Sequence, residues 1–236
     1  MKIEGPLLWG KFVERPNRFI TLVELDGKII PSHLPDPGRL KELLVPGADL
    51  LLRMAPQGSE RKTEYSTIMV CHDGQLISLV STLPNRFVLE SINSKGLPMF
   101  SDYEIVRTEV AHGNHRFDFL LKDQKGNPFY LEVKSVTFVE ERLAKFPDAV
   151  TERGARHAQA LREIVEEGGS AGILFVCQRS DADHFAPMWN RDPKFSNALL
   201  QSHLAGVKVW CITTQVSETE MKFGQEIPVN LIPPQP

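Results

Sequence analysis

Cysteine is scarce in this sequence: Cys71, Cys177 and Cys211 are the only three in 236 residues. They form no CxxC unit and no fully paired disulfide framework, so reduced thiols in a cytoplasmic protein are expected. No apolar run approaches the roughly 20 residues needed to cross a bilayer, so no membrane partner is expected. The start, Met1-Lys2-Ile3-Glu4-Gly5-Pro6, lacks a basic segment followed by a long apolar core, and no export signal is expected. An excess of positive charge is also missing: 27 Lys and Arg face 30 Asp and Glu, a net charge of −3. Up to Asn85 there are 10 basic and 10 acidic residues, and after it 17 and 20. A polyanion site must therefore be a local concentration of charge. With 42% hydrophobic and 24% charged residues, the chain has the makeup of a folded globular protein, which excludes disorder and fibrous architecture.

What is present falls into two parts, 1–82 and 83–230. The first reads as five or six short strands. Leu7–Val13 and Phe19–Leu25 flank the breaker Arg15-Pro16-Asn17, and Asp26-Gly27 is a hairpin turn into Lys28-Ile29-Ile30. Runs at Asp49–Met54, Tyr65–Val70 and Gln75–Val80 follow, with one small helical insert near Gly38 to Leu44. Such a set predicts a small closed β-barrel.

From Pro84 the pattern turns to mixed helix and strand, so the fold class is α/β (α+β). A helix starting at Pro84 must end by Gly96-Leu97-Pro98. Strands are predicted at Tyr103–Val110, Phe117–Leu121 and Phe129–Phe138, the last two joined as an antiparallel hairpin by Asp123-Gln124-Lys125-Gly126-Asn127. Thr151 N-caps a helix that Gly168-Gly169 stop. A buried strand at Ala171–Cys177, a helix at Phe195–Leu204 and a strand at Val207–Ile212 complete the order. Only the tail, Ile232 to Pro236, is expected to lack regular structure.

Chemistry concentrates in Arg116-Phe117-Asp118-Phe119 and Tyr130-Leu131-Glu132-Val133-Lys134-Ser135. Side chains two apart on a strand share a face, so Glu132 and Lys134 project together. The hairpin brings Asp118 to the same edge. Two adjacent carboxylates repel unless a cation neutralises them. With few other protein ligands they suit Mg²⁺ (or Mn²⁺), which keeps several waters and recruits phosphate oxygens. An ammonium alongside stabilises charge developing on phosphorus, so Asp118, Glu132 and Lys134 are the candidate catalytic residues of a phosphodiester hydrolase.

This triad in a helix, three-strand, helix, strand order resembles the PD-(D/E)xK nuclease superfamily. A closer resemblance lies in His33-Leu34-Pro35-Asp36-Pro37-Gly38-Arg39-Leu40, Glu132-Val133-Lys134-Ser135-Val136-Thr137 and Phe146-Pro147-Asp148-Ala149-Val150-Thr151-Glu152-Arg153-Gly154. With Arg61-Lys62, Pro84-Asn85-Arg86 and Arg116-Phe117-Asp118-Phe119, these are similar to the signatures of the sugar fermentation stimulation protein A (SfsA) family, in order over nearly the whole chain. The resemblance implies an N-terminal OB-like barrel, a C-terminal PD-(D/E)xK nuclease-like αβββαβ domain, DNA binding and a regulatory link to sugar metabolism. It also implies Asp118 and Glu132 as metal ligands, Lys134 as the catalytic lysine, and Glu90 on the preceding helix as a further carboxylate. His115 stands where the family often has Ser.

Two further groups are candidates for nucleic acid. Arg153 and His157 fall four apart on one helical face near a helix N-terminus, where amides favour an anion. In the first part Lys11, Arg15, Arg18, Arg39, Arg53, Arg61 and Lys62 lie among Trp9, Phe12 and Phe19, the mixture of cations and rings with which OB barrels hold single strands. Arg116 joins this set. The expected partner is DNA, bound with weak sequence selectivity, and the sequence leaves an oligomer open. The alternative function is a non-catalytic DNA-binding transcriptional regulator on a nuclease scaffold.

Overall fold

The structure, a computed structural model, describes residues 1–56, 58 and 61–234. It packs as two compact units, Met1–Leu83 with Gln215–Lys222, and Pro84–Thr214 with Phe223–Pro236. Among the described residues no helix is long and apolar enough to cross a membrane. Of the tail, Gln235 and Pro236 lie outside the described residues.

The first unit is an OB-like barrel built from β1 (Leu7–Asn17), β2 (Ile20–Leu25), β3 (Lys28–His33), β4 (Asp49–Met54) and β5 (Tyr65–His72). The pairings β1–β2, β2–β3, β3–β5, β5–β4 and β4–β1 close the sheet on itself, and β6 (Gln75–Ser78) adds to β5. The parallel β3–β5 pairing is the one that closes the edges of the β3-β2-β1-β4-β5 order. Asp26-Gly27 and Asp73-Gly74 both have positive φ at each residue, the conformation of a two-residue hairpin turn that matches strand twist. Phe12, Val23, Leu50, Leu52, Val70 and Ile77 fill the interior. The helical insert expected at Gly38 to Leu44 is instead a single turn, with Leu43 N and Leu44 N both donating to Leu40 O. Pro37 and Gly38 leave too few helix-compatible residues to propagate beyond a nucleus.

The second unit has a six-stranded sheet in the order β15-β14-β12-β9-β8-β7. Its strands are β7 (Glu104–His112), β8 (His115–Lys122), β9 (Pro128–Val136), β12 (Ala171–Cys177), β14 (Lys208–Val216) and β15 (Met221–Ile227). β7, β8 and β9 form an antiparallel meander, whereas β9, β12 and β14 run parallel. Helices are α1 (Leu83–Asn93), α2 (Glu152–Glu166) and α3 (Pro193–Leu204). A second small sheet, β10 (Val139–Glu140), β11 (Leu143–Phe146) and β13 (His184–Pro187), joins the segment before α2 to that before α3.

The helix ends follow from local chemistry. Thr151 caps α2, its hydroxyl accepting from Gly154 N at 3.0 Å. A Cβ on Gly154 would sit 2.8 Å from Thr151 Cγ2, so only glycine admits this close cap. Asp192 caps α3 through Phe195 N at 2.9 Å and accepts from Thr151 N at 2.7 Å with its other oxygen. One buried carboxylate thus fixes two helix starts. Ala155, Ala158, Leu161 and Ile164 turn the apolar face of α2 into a core with Ile173, Phe175 and Phe195.

Candidate functional site

The β8–β9 ladder pairs Lys122 with Pro128 through Phe119 with Leu131, which sets Asp118 opposite Glu132. There the ladder is interrupted. Val133 N donates to Asp118 Oδ2 at 2.7 Å, so a carboxylate takes the place of a backbone acceptor. Asn85 Nδ2, from the first turn of α1, donates to Asp118 Oδ1 at 2.6 Å. On the far side of β9, β12 holds the strand by register pairs Ile173–Glu132 and Phe175–Lys134. The pleat then points Glu132 and Lys134 the same way.

Glu132 is 3% exposed. Its Oε1 accepts from the Lys134 ammonium and lies 2.6 Å from His157 Nδ1 on α2. Its Oε2 is buried with no hydrogen-bond partner among the described residues. Burial pushes the Glu132 carboxyl up, but the Lys134 ammonium and the His157 hydrogen bond outweigh it and hold the group below its ordinary range. Asp118 behaves oppositely. Burial and the neighbouring Glu132 charge push it up to about 6, against the downward pull of the Val133 amide, Lys134 and Asn85. Two carboxylates, one ammonium and one imidazole thus meet at one point of the sheet.

An unpartnered oxygen on a buried, ionised carboxylate is costly unless something positive meets it. A second carboxylate raised by burial and by the charge of the first carries the same signature. Among the described residues no group of three or more His, Cys, Asp and Glu side chains is placed to hold a metal ion. Two carboxylates with open coordination fit a hard divalent cation that keeps its waters, and do not fit a structural zinc. Asp118 and Glu132 would hold such an ion.

The other candidate residues are placed as follows. Glu90 is exposed on α1 and pairs with Arg86 at 3.1 Å; the α1 side chain that reaches Asp118 is Asn85. His157, expected on an anion-facing surface, is buried and turned onto Glu132, while Arg153 is exposed and reaches His157 Nε2 at 3.4 Å. Arg116 is exposed and meets Glu109 at 3.6 Å. In the barrel, Lys11 is paired with Asp49 at 2.6 Å. Arg15 does not project outward: Nη1 donates to Gly38 O and Arg39 O at 2.7 and 2.8 Å, and Nη2 to Arg18 O and Asp36 O at 2.7 and 3.2 Å. It clamps the loop after β3 to the β1–β2 turn. Arg18, Arg39 and Lys62 are exposed, and Arg61, also exposed, donates to Ser66 Oγ at 3.2 Å. Phe12 belongs to the barrel core, so of the three rings only Trp9, at 47%, and Phe19, at 50%, are open to solvent.

The structure adds Asn85 to the site and gives His157 a role other than the expected anion contact. Asn85 stands in a motif quoted for its resemblance but carried no role, since its contact with Asp118 spans 33 positions. His157 was visible as Arg153's helical neighbour; the signal for burial was its place among Gly154, Ala155, Ala158 and Ala160 on the packed side of α2.

Two family domains match the chain: "SfsA N-terminal OB domain" over residues 13–79 and "Sugar fermentation stimulation protein RE domain" over residues 82–220. A sugar fermentation stimulation protein homolog of Desulforamulus reducens is 41% identical over 225 residues, covering 95% of this chain and 93% of that one. A homolog from Methanosphaera stadtmanae is 44% identical over 204 residues, covering 85% and 84%. Among solved structures, Pyrococcus furiosus SfsA in complex with Ca²⁺ superposes with a TM-score of 0.88 at 27% identity, over 98% of each chain. The chain therefore belongs to the sugar fermentation stimulation protein (SfsA) family.

Proposed function

We propose that this protein binds DNA and hydrolyses its phosphodiester bonds with a divalent cation, Mg²⁺ or Mn²⁺, held by Asp118 and Glu132. The observation that carries the reading is the buried Oε2 of Glu132, without a hydrogen-bond partner among the described residues, beside a second carboxylate raised by burial and by the Glu132 charge. When bound, such an ion supplies Lewis-acid polarisation of a phosphate oxygen and acidifies a coordinated water.

The protein's own residues divide the remaining work. Asn85 and the Val133 amide fix Asp118 at the break in the ladder. Lys134 balances one of the two negative charges and places an ammonium where charge develops on the phosphate. In the barrel, Arg18, Arg39, Arg61 and Lys62 with the Phe19 ring offer phosphate contacts and a stacking face. Such contacts are read through the backbone and give weak sequence selectivity and a strong salt dependence. A cytoplasmic place of action agrees with three cysteines that are all free thiols.

The test is a screen of several DNA and RNA forms for cleavage with Mg²⁺ or Mn²⁺, beside Glu132→Ala and Lys134→Ala. Cleavage that needs the cation and disappears in both variants, with binding retained, is the expected result. Binding without cleavage of any form would leave a DNA-binding regulator on a nuclease scaffold. Equal cleavage by all three proteins would remove the centre altogether.

A further inference from the structure

A histidine inside a row of alanines has to justify its burial. At 4% exposure, His157 gives up hydration that the small residues around it never needed. Both of its ring nitrogens are used. Nδ1 lies 2.6 Å from Glu132 Oε1, and Nε2 lies 3.4 Å from Arg153 Nε. An arginine nitrogen can only donate, so Nε2 is an acceptor; a carboxylate oxygen can only accept from nitrogen, so Nδ1 carries the hydrogen. Two independent contacts select one tautomer. The ring cannot turn easily either, since Phe117 and His115 meet it edge-on at centroid distances of 5.7 and 5.8 Å.

We infer that His157 is a positioning residue: with its hydrogen on Nδ1, as its contacts with Glu132 and Arg153 both require, it anchors Glu132 through Oε1 and leaves Oε2 to face a divalent cation. This rests on the reading of Asp118 and Glu132 as a cation-holding pair. Oε1 is occupied twice, by His157 and by the Lys134 ammonium, while Oε2 has no partner among the described residues. Lys134 alone, on a flexible stem from the same strand, does not fix the plane of the carboxylate. A rigid imidazole from a packed helix does. Arg153 is exposed, so the chain Arg153–His157–Glu132 runs from the surface of α2 to the centre. Hydrogen-bonding partners behind metal ligands typically change metal affinity by about 10- to 100-fold when removed.

The experiment is calorimetric titration of Ca²⁺ and Mn²⁺ into the full chain and its variants, with ¹⁵N spectra of the histidine ring nitrogens in the absence of metal. His157→Ala should weaken the cation by about 10- to 100-fold. His157→Asn, whose amide N–H sits where Nδ1–H does, should recover most of that loss, whereas His157→Gln, which places its donor further out, should not. Arg153→Ala should weaken binding less than His157→Ala and leave the ring on the Nδ1–H tautomer, which the 2.6 Å contact to Glu132 alone requires. Should His157→Ala fail to fold, the spectra and the comparison of His157→Asn with His157→Gln decide the matter. A wild-type ring protonated on Nε2, or His157→Ala affinity equal to wild type while Glu132→Ala loses the ion, overturns the inference alone. If wild type and Glu132→Ala bind the ions equally, the cation-pair reading itself fails and the inference with it.

Discussion

Replacing Asp118 by Asn should stabilise the metal-free protein and abolish its response to divalent cations. The carboxyl is held at about 6 in the folded chain against its ordinary 3.8. Each pKa unit corresponds to about 1.4 kcal/mol, so the ionised group lowers folding stability by at most about 3 kcal/mol. The sign follows from which state holds the proton more tightly. Here it is the folded state, so the stability present below 3.8 is lost as the pH rises through about 6. An Asn at this position stays neutral. Its carbonyl can accept from Val133 N, and its amide can donate to Asn85 once that side chain turns over. In urea denaturation with EDTA, Asp118→Asn should therefore gain about 1–3 kcal/mol over wild type near pH 8, with the gap closing toward about pH 4.5. Added Ca²⁺ or Mn²⁺ should stabilise wild type and leave the variant unmoved. A variant no more stable than wild type at the higher pH, or a gap that does not change with pH, would refute the claim that Asp118 is raised by burial and by Glu132.

Further outcomes concern the other parts of the molecule. Lys134→Met should lower any Mg²⁺-dependent cleavage by about 100-fold or more in single-turnover assays, with little change in DNA affinity. Arg15→Ala should cost the barrel about 2–4 kcal/mol, since four carbonyl contacts go together; thermal melting and protease nicking at residues 36–39 report it, and Arg18→Ala should stay within about 0.5 kcal/mol of wild type. Thr151→Ala should lower stability by about 1 kcal/mol through loss of the α2 cap, and Asp192→Ala by more, because that carboxylate serves Thr151 and Phe195 together. DNA affinity should fall linearly on a log–log plot against salt, and an unchanged affinity between low and high salt would remove the phosphate-contact account.

Much of this fold was readable because its signals are local. Asp26-Gly27 marks a hairpin wherever it occurs between β-rich runs, Thr151 before an amphipathic run marks a helix start, and Gly168-Gly169 mark its end. Period-two alternation along β9 puts Glu132 and Lys134 on one face. The β10–β11–β13 sheet and β15 were not legible; of their pairings, that of Leu143–Phe146 with His184–Pro187 joins segments about 40 residues apart.

The closed barrel, the α/β unit after it, and the candidate carboxylates with their lysine can be read from the residues alone, because propensity, turn chemistry and alternation act over a few neighbours. Packing settles that Arg15 clamps backbone carbonyls instead of meeting a phosphate, that Phe12 is core, and that Asn85 and His157 join the carboxylates. For Arg15, Asn85 and His157 the outcome depends on where a side chain ends relative to residues 21 to 33 positions away. At that range burial and hydrogen-bond partners are set by how strands and helices pack, which no local pattern encodes.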